Sequence, residues 1–143
     1  AAVSNTWRLA PWADAVVSAD AAWWTQHPDA LECPAAKYGA MPEFLAIPGV
    51  ERIQANGVNS ALLAVMVAVQ RGATRVLLCG LDLHGSHYFG DHPAPLFNPG
   101  EREFARFRRQ FAAYRPSGVE ILNCTPGSSL ACYPFANLED VLP

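Results

Sequence analysis

The amino-acid sequence predicts an α/β fold of Rossmann-like type: an open, mostly parallel sheet with helices on both faces. Three observations carry this expectation. The almost uniformly apolar stretch Ala61–Gln70 is followed at once by the continuous hydrophobic run Arg75-Val-Leu-Leu-Cys-Gly80, and a helix leading into a buried strand is half of a βαβ unit. A second helix, Glu101 to about Tyr114, leads in the same way into a second strand-like run, Val119–Asn123. Polar loops come directly after the strands, as they do where an open parallel sheet gathers its ligand-binding loops.

Taken in chain order, Ala1 to Asn5 reads as the end of a strand and Trp7 to Trp12 as a short helix or turn. The β-branched run between Asp14 and Asp20 reads as a buried strand, with Asp20 at its carboxyl end placed to cap a helix over Ala21–Gln26 that Pro28 stops. From Pro28 to Gly57 the chain is rich in Pro, Gly and Ala, and it reads as an excursion over the sheet with two short strands, Phe44–Ile47 and Arg52–Gln54. Asn59 or Ser60 caps the apolar helix, and Arg71-Gly72 ends it. On the second helix Phe104, Phe107, Phe111 and Tyr114 recur at spacings of three and four, which makes one aromatic stripe toward a core. Arg102, Arg106, Arg108 and Arg109 fall largely elsewhere and read as a solvated basic face.

Composition bounds the function. With 143 residues the chain has the length of one α/β domain, expected over 1–143. A hydrophobic share of 51% against 16% charged residues favours a compact fold and leaves a surface sparse enough in charge for a partner, a second copy included, to cover part of it. The net charge of -3 offers no basic face for nucleic acid. The run Ala61–Val69 is too short to span a bilayer and the opening residues lack signal-peptide character, so a cytoplasmic location is expected. Cys33, Cys79, Cys124 and Cys132 form no Cys-x-x-Cys pair and are expected to be reduced and mostly buried.

Polar residues recur where a parallel sheet binds ligands: Asn5, Asp20, Asp82 and Asn123 each follow a strand, and Asn59-Ser60 opens the apolar helix. The densest cluster runs from Asp82 to Pro93 and holds His84, His87, His92, Asp82 and Asp91. Histidine moves protons near neutral pH, and a nearby carboxylate fixes its tautomer, so this loop is the candidate for acid–base chemistry. A plain solvated loop and a divalent-metal site are its other readings. Neither a Gly-x-x-x-x-Gly-Lys-Ser phosphate loop nor a Gly-x-Gly-x-x-Gly fingerprint is present.

Asn5-Thr-Trp7, the strand ending in Asp20, Gly57-Val-Asn-Ser60, Leu78-Cys-Gly-Leu-Asp82, His87-Tyr-Phe-Gly-Asp-His92 and Asn123-Cys-Thr-Pro-Gly-Ser-Ser-Leu130 together cover most of the chain. In this order they resemble the bacterial sialyltransferases of glycosyltransferase family 42, with the related flagellin-glycosylation and hydroxymethylpterin pyrophosphokinase-like proteins. Shorter phage-borne relatives look most similar. The resemblance implies a transferase that binds a CMP-sugar, with Asn59, Ser60, Gly80 and Asp82 on the CMP portion, Asn5 in the same duty and Asp20 as a further donor contact. It implies a histidine base that takes the proton from the acceptor hydroxyl; His92 is favoured, because Asp91 is an extra residue here, and His87 is the alternative. No cofactor is implied. The family's opening Gly-x-Gly-Pro-Ser-like turn has no counterpart in the sequence, as if the fold lacked the first βα unit, and the acceptor-binding lid is much reduced. Two other functions stand beside the transferase: a Mg-dependent pyrophosphokinase-like enzyme whose loop aspartates hold the ion, and, from the missing first unit and the low surface charge, a non-catalytic phage-type nucleotide-binding accessory protein.

Overall fold

A computed structural model describes residues 1–40, 46–55 and 57–142. The chain divides into two compact units, Ala1–Gln70 and Arg71–Pro143.

The first unit is built on a four-stranded, all-parallel sheet flanked by helices, with strand order β1-β2-β3-β4, an open Rossmann-like α/β arrangement. Its strands are β1 (Ala2–Val3), β2 (Ala15–Val17), β3 (Ala36–Gly39) and β4 (Glu51–Arg52). Val16 lies opposite Ala2 on one side and Lys37 on the other, so β2 is the buried centre that its Ala-Val-Val sequence anticipates. A 3-10 helix (Ser4–Arg8) follows β1 directly, starting earlier than the helix or turn expected at Trp7. Helix α1 (Ala21–Gln26) begins where Asp20 predicts: its carboxylate accepts a bond of 2.8 Å from the Ala22 N–H. A single turn, α2 (Asp29–Glu32), then leads into β3.

Strand β3 corrects the expectation of a loose excursion between Pro28 and Gly57. Ala-Lys-Tyr-Gly lacks the β-branched run that marks a strand, yet it pairs with β2 and β4 and buries Tyr38. Lys37 is half-buried, and its ammonium donates to the Cys33 and Ala35 carbonyls. Of the two short strands expected here, Arg52–Gln54 corresponds to β4, displaced by one or two residues; of Phe44–Ile47, residues 44 and 45 lie outside those described, and Ala46 and Ile47 are not in a strand.

Helix α3 (Ser60–Gln70) lies against β1, β2 and β3 and is as apolar as its sequence demands, with Leu62, Leu63, Ala64, Val65 and Val67 buried. Leu63 and Val67 meet Val17, Tyr38 and Ile53 in the core of the unit. Trp24, fully buried, donates its indole N–H to the Ser18 carbonyl at 3.0 Å.

The second unit holds a two-stranded parallel sheet of β5 (Arg75–Leu78) and β6 (Glu120–Asn123). The strands are thus shared between two sheets, where the sequence alone suggested one. Helix α4 (Glu101–Ala113) precedes β6 as expected, and of its aromatic stripe Phe111 is fully buried while Phe104, Phe107 and Tyr114 are half-buried. Phe111 packs edge-on against Tyr133 at 6.3 Å. The Tyr133 hydroxyl lies 3.0 Å from the Phe111 carbonyl and 2.9 Å from that of Tyr114, two acceptors left over at the end of α4. Burial pushes the Tyr133 phenol above its usual range, so it stays a donor at every ordinary pH. Because Arg115 also reaches both carbonyls, Tyr133→Phe is expected to cost only about 1 kcal/mol of stability in urea denaturation. A last turn, α5 (Leu138–Val141), follows.

One cysteine differs from expectation. Cys124 is buried and Cys33 and Cys132 are half-buried, but Cys79 is exposed, because it lies just past the end of β5. All four are free thiols. Among the described residues no helix is long and apolar enough to cross a membrane.

Candidate functional site

In the first unit the expected residues gather at the carboxyl ends of β1 and β2. Asn5 stands two residues beyond β1, and its Oδ1 accepts a 2.7 Å bond from the Trp23 indole, which fixes the amide's orientation. Ser60, the first residue of α3, accepts the Ala19 N–H on its Oγ at 3.0 Å and so ties the start of that helix to the end of β2. Asn59 is the residue that caps α3: its Oδ1 accepts the Leu62 N–H at 3.0 Å and its carbonyl accepts that of Leu63. Asp20 is exposed and caps α1. The structure therefore brings Asp20 and Ser60 together around Ala19, and gives each of these four side chains a structural bond that any ligand role has to share.

Ser4, beside Asn5, adopts a left-handed backbone (φ 46°), and its hydroxyl lies 3.3 Å from that of Ser18. Among the described residues the only other non-glycine with positive φ is Leu83 (φ 55°), beside Asp82. Such conformations cost energy in residues with a Cβ and collect where a chain must aim neighbouring groups. Nothing in the residue types announces either one.

In the second unit the loops after β5 and β6 are laced together. The Leu81 N–H donates to Thr125 Oγ1 at 3.0 Å, Ser128 Oγ donates to the Leu81 carbonyl at 2.6 Å, and the Ser129 N–H donates to the Asp82 carbonyl at 2.8 Å. Gly80 is exposed and takes φ 70°, a turn that a side chain would strain. Asp82 is exposed, so its carboxylate is presented outward from a backbone that the neighbouring loop holds. Asn123 is different. It is buried, with its Nδ2 donating to the Leu130 carbonyl and its Oδ1 accepting the Thr125 N–H, so this residue, read from sequence as a ligand position, is a brace for the loop.

The histidine-bearing segment is built of successive turns. The Gly90 N–H closes a turn onto the His87 carbonyl at 2.9 Å, with Gly90 at φ 83°. Asn98 clamps His92 from both sides of its backbone: its Oδ1 accepts the His92 N–H at 2.7 Å and its Nδ2 donates to the His92 carbonyl at 2.9 Å. Arg108 on α4 anchors the start of the segment through the Leu83 carbonyl at 3.0 Å. These supports bring the rings of His87 and His92 to 4.8 Å, edge to face, with Phe89 stacked on His87 at 4.9 Å. His84 lies apart, its ring nitrogen 3.3 Å from the Gly127 carbonyl.

His87 Nε2 is buried and finds no hydrogen-bond partner among the described residues. Loss of hydration lowers the His87 pKa, an effect that the Asp91 carboxylate only partly offsets. The ring is therefore expected to stay neutral to lower pH than a free histidine, with an NMR titration midpoint below 6.5. The folded value lies below the unfolded one, so the associated stability is complete above 6.5 and declines as pH falls from there toward the folded value. His87→Gln is expected to remove that decline in denaturation curves recorded across the same window.

Among the described residues no group of three or more His, Cys, Asp or Glu is arranged to hold a metal ion. Compared with models of protein families, with curated proteins and with solved structures, the chain matches none.

Proposed function

We propose that this chain is a glycosyltransferase-like protein that binds a nucleotide-sugar, a CMP-sugar by motif resemblance, and transfers the sugar to a hydroxyl acceptor. The observation that carries the proposal is the His87–His92 ring pair, 4.8 Å apart on the loop that follows a parallel strand, with burial holding the His87 pKa below its ordinary value. In the step proposed, the base, His92 first and His87 as alternative, takes the acceptor hydroxyl proton as that oxygen bonds the anomeric carbon, while the bond from that carbon to the CMP phosphate breaks and CMP leaves. Asn5, Asp20, Asn59, Ser60, Gly80 and Asp82 are the proposed donor-holding positions. Ser60 suits the role, since its oxygen already accepts from Ala19 and its hydroxyl hydrogen is left to donate.

A thermal-shift series tests this reading. A CMP-sugar at a hundred times its Kd is expected to add about 2.7 kcal/mol to apparent stability, and uridine or adenine nucleotides much less. No shift with any cytidine nucleotide would remove the proposal. A binding role without turnover is the second reading. A shift with CMP in the absence of sugar transfer would select it. The pyrophosphokinase-like reading requires instead that activity vanish in excess chelator.

A further inference from the structure

Strands β5 and β6 end on a pair of thiols. Their register matches Leu78 with Asn123 as the last partners, a pair closed by the Cys124 N–H, which donates to the Leu78 carbonyl at 2.8 Å. Cys79 and Cys124 are the residues that directly follow this last pair, one after each strand. Neighbouring strands lie about 4.8 Å apart, within the range of about 4.4–6.8 Å between Cα atoms that a disulfide spans. Cys79 is exposed and Cys124 is buried, a division suited to one thiol that meets a reagent and one that resolves the product. We infer that Cys79 and Cys124 form a vicinal dithiol that closes to an intrachain disulfide by exchange with a small disulfide such as oxidised glutathione.

The exchange balances in two steps. The Cys79 thiolate, having lost its proton to water, attacks one sulfur of glutathione disulfide; a mixed disulfide forms and one glutathione thiolate leaves and is protonated. The Cys124 thiolate then attacks the Cys79 sulfur and expels the second glutathione. Two protein thiols are oxidised and one small disulfide is reduced to two thiols. Loss of hydration around the sulfur, and then Cys124, push the Cys79 thiol pKa up although the residue as a whole is exposed, so the first step is expected to accelerate as pH rises above neutral. The closed form would staple the two strand ends beneath Gly80 and Thr125, and it stands whether or not the histidine loop transfers a sugar.

The test uses the unaltered chain. It is incubated folded with glutathione disulfide, the remaining thiols are alkylated after unfolding, and the unreduced digest is mapped by mass spectrometry. The expected result is a crosslinked peptide joining Cys79 to Cys124 in a monomer, with two of the four thiols lost to alkylation. A stable glutathione adduct on Cys79 with Cys124 still alkylated, a link through Cys33 or Cys132, a disulfide-linked dimer, or four intact thiols would each overturn it.

Discussion

His92→Ala is expected to lower the rate of sugar transfer by about 10²–10⁴-fold, the usual contribution of a positioned acid–base group, with donor affinity little changed. The substitution isolates chemistry from folding, because Asn98 holds His92 through the backbone and those two bonds survive removal of the ring. His87→Ala is expected to have the smaller effect on rate and the larger one on the loop, since its ring stacks on Phe89 and meets His92 edge-on. Initial rates of both variants at saturating donor, alongside circular dichroism, check the pair. A full rate in His92→Ala with a collapse in His87→Ala would move the base to His87, whose lowered pKa would then set the acidic limb of the pH–rate curve.

Asn123→Leu carries the largest expected effect on stability. The replacement is similar in size but leaves two buried groups, the Thr125 N–H and the Leu130 carbonyl, without their partner. Each such orphan costs about 1–3 kcal/mol, so a loss of about 2–5 kcal/mol is expected in chemical denaturation. The loop from Thr125 to Leu130 is expected to lose its hydrogen-exchange protection first, and with it the bonds that hold Leu81 and Asp82. A change below 1 kcal/mol would mean that water replaces the amide at this position.

Long or capped elements were legible in the residues. Asp20 before Ala21 and Asn59 before the apolar helix act as caps in the structure because a short acceptor side chain at that position meets the free N–H groups of the first turn. Helix α4 and strands β5 and β6 follow their periodicity and their apolar runs. Strand β3 was not legible, since Ala36–Gly39 owes its conformation to pairing with β2 and β4 and little to its own composition. Nor was the division into two sheets, because hydrophobic patterning reports burial and is silent about which strand lies beside which.

At the candidate site the residue types were informative and their surroundings were not. Loop composition singled out His87 and His92, but the five-residue separation alone cannot say that a turn at Gly90 and a clamp from Asn98 bring their rings together. Asn123 looked like an outward polar residue at a strand end, and only the positions of Thr125 and Leu130 reveal it as a brace. The left-handed backbones of Ser4 and Leu83 carry no sequence signal at all, since neither residue is the glycine or asparagine that such a conformation usually draws.

The proposed activity is tested most directly by following CMP release from a CMP-sugar by the unaltered chain in excess chelator, with water taking the place of the acceptor hydroxyl. The account predicts release well above the buffer background, undiminished by loss of divalent metal and lowered about 10²–10⁴-fold in His92→Ala. Release no faster than in buffer, or release that appears only when magnesium is restored, would contradict it.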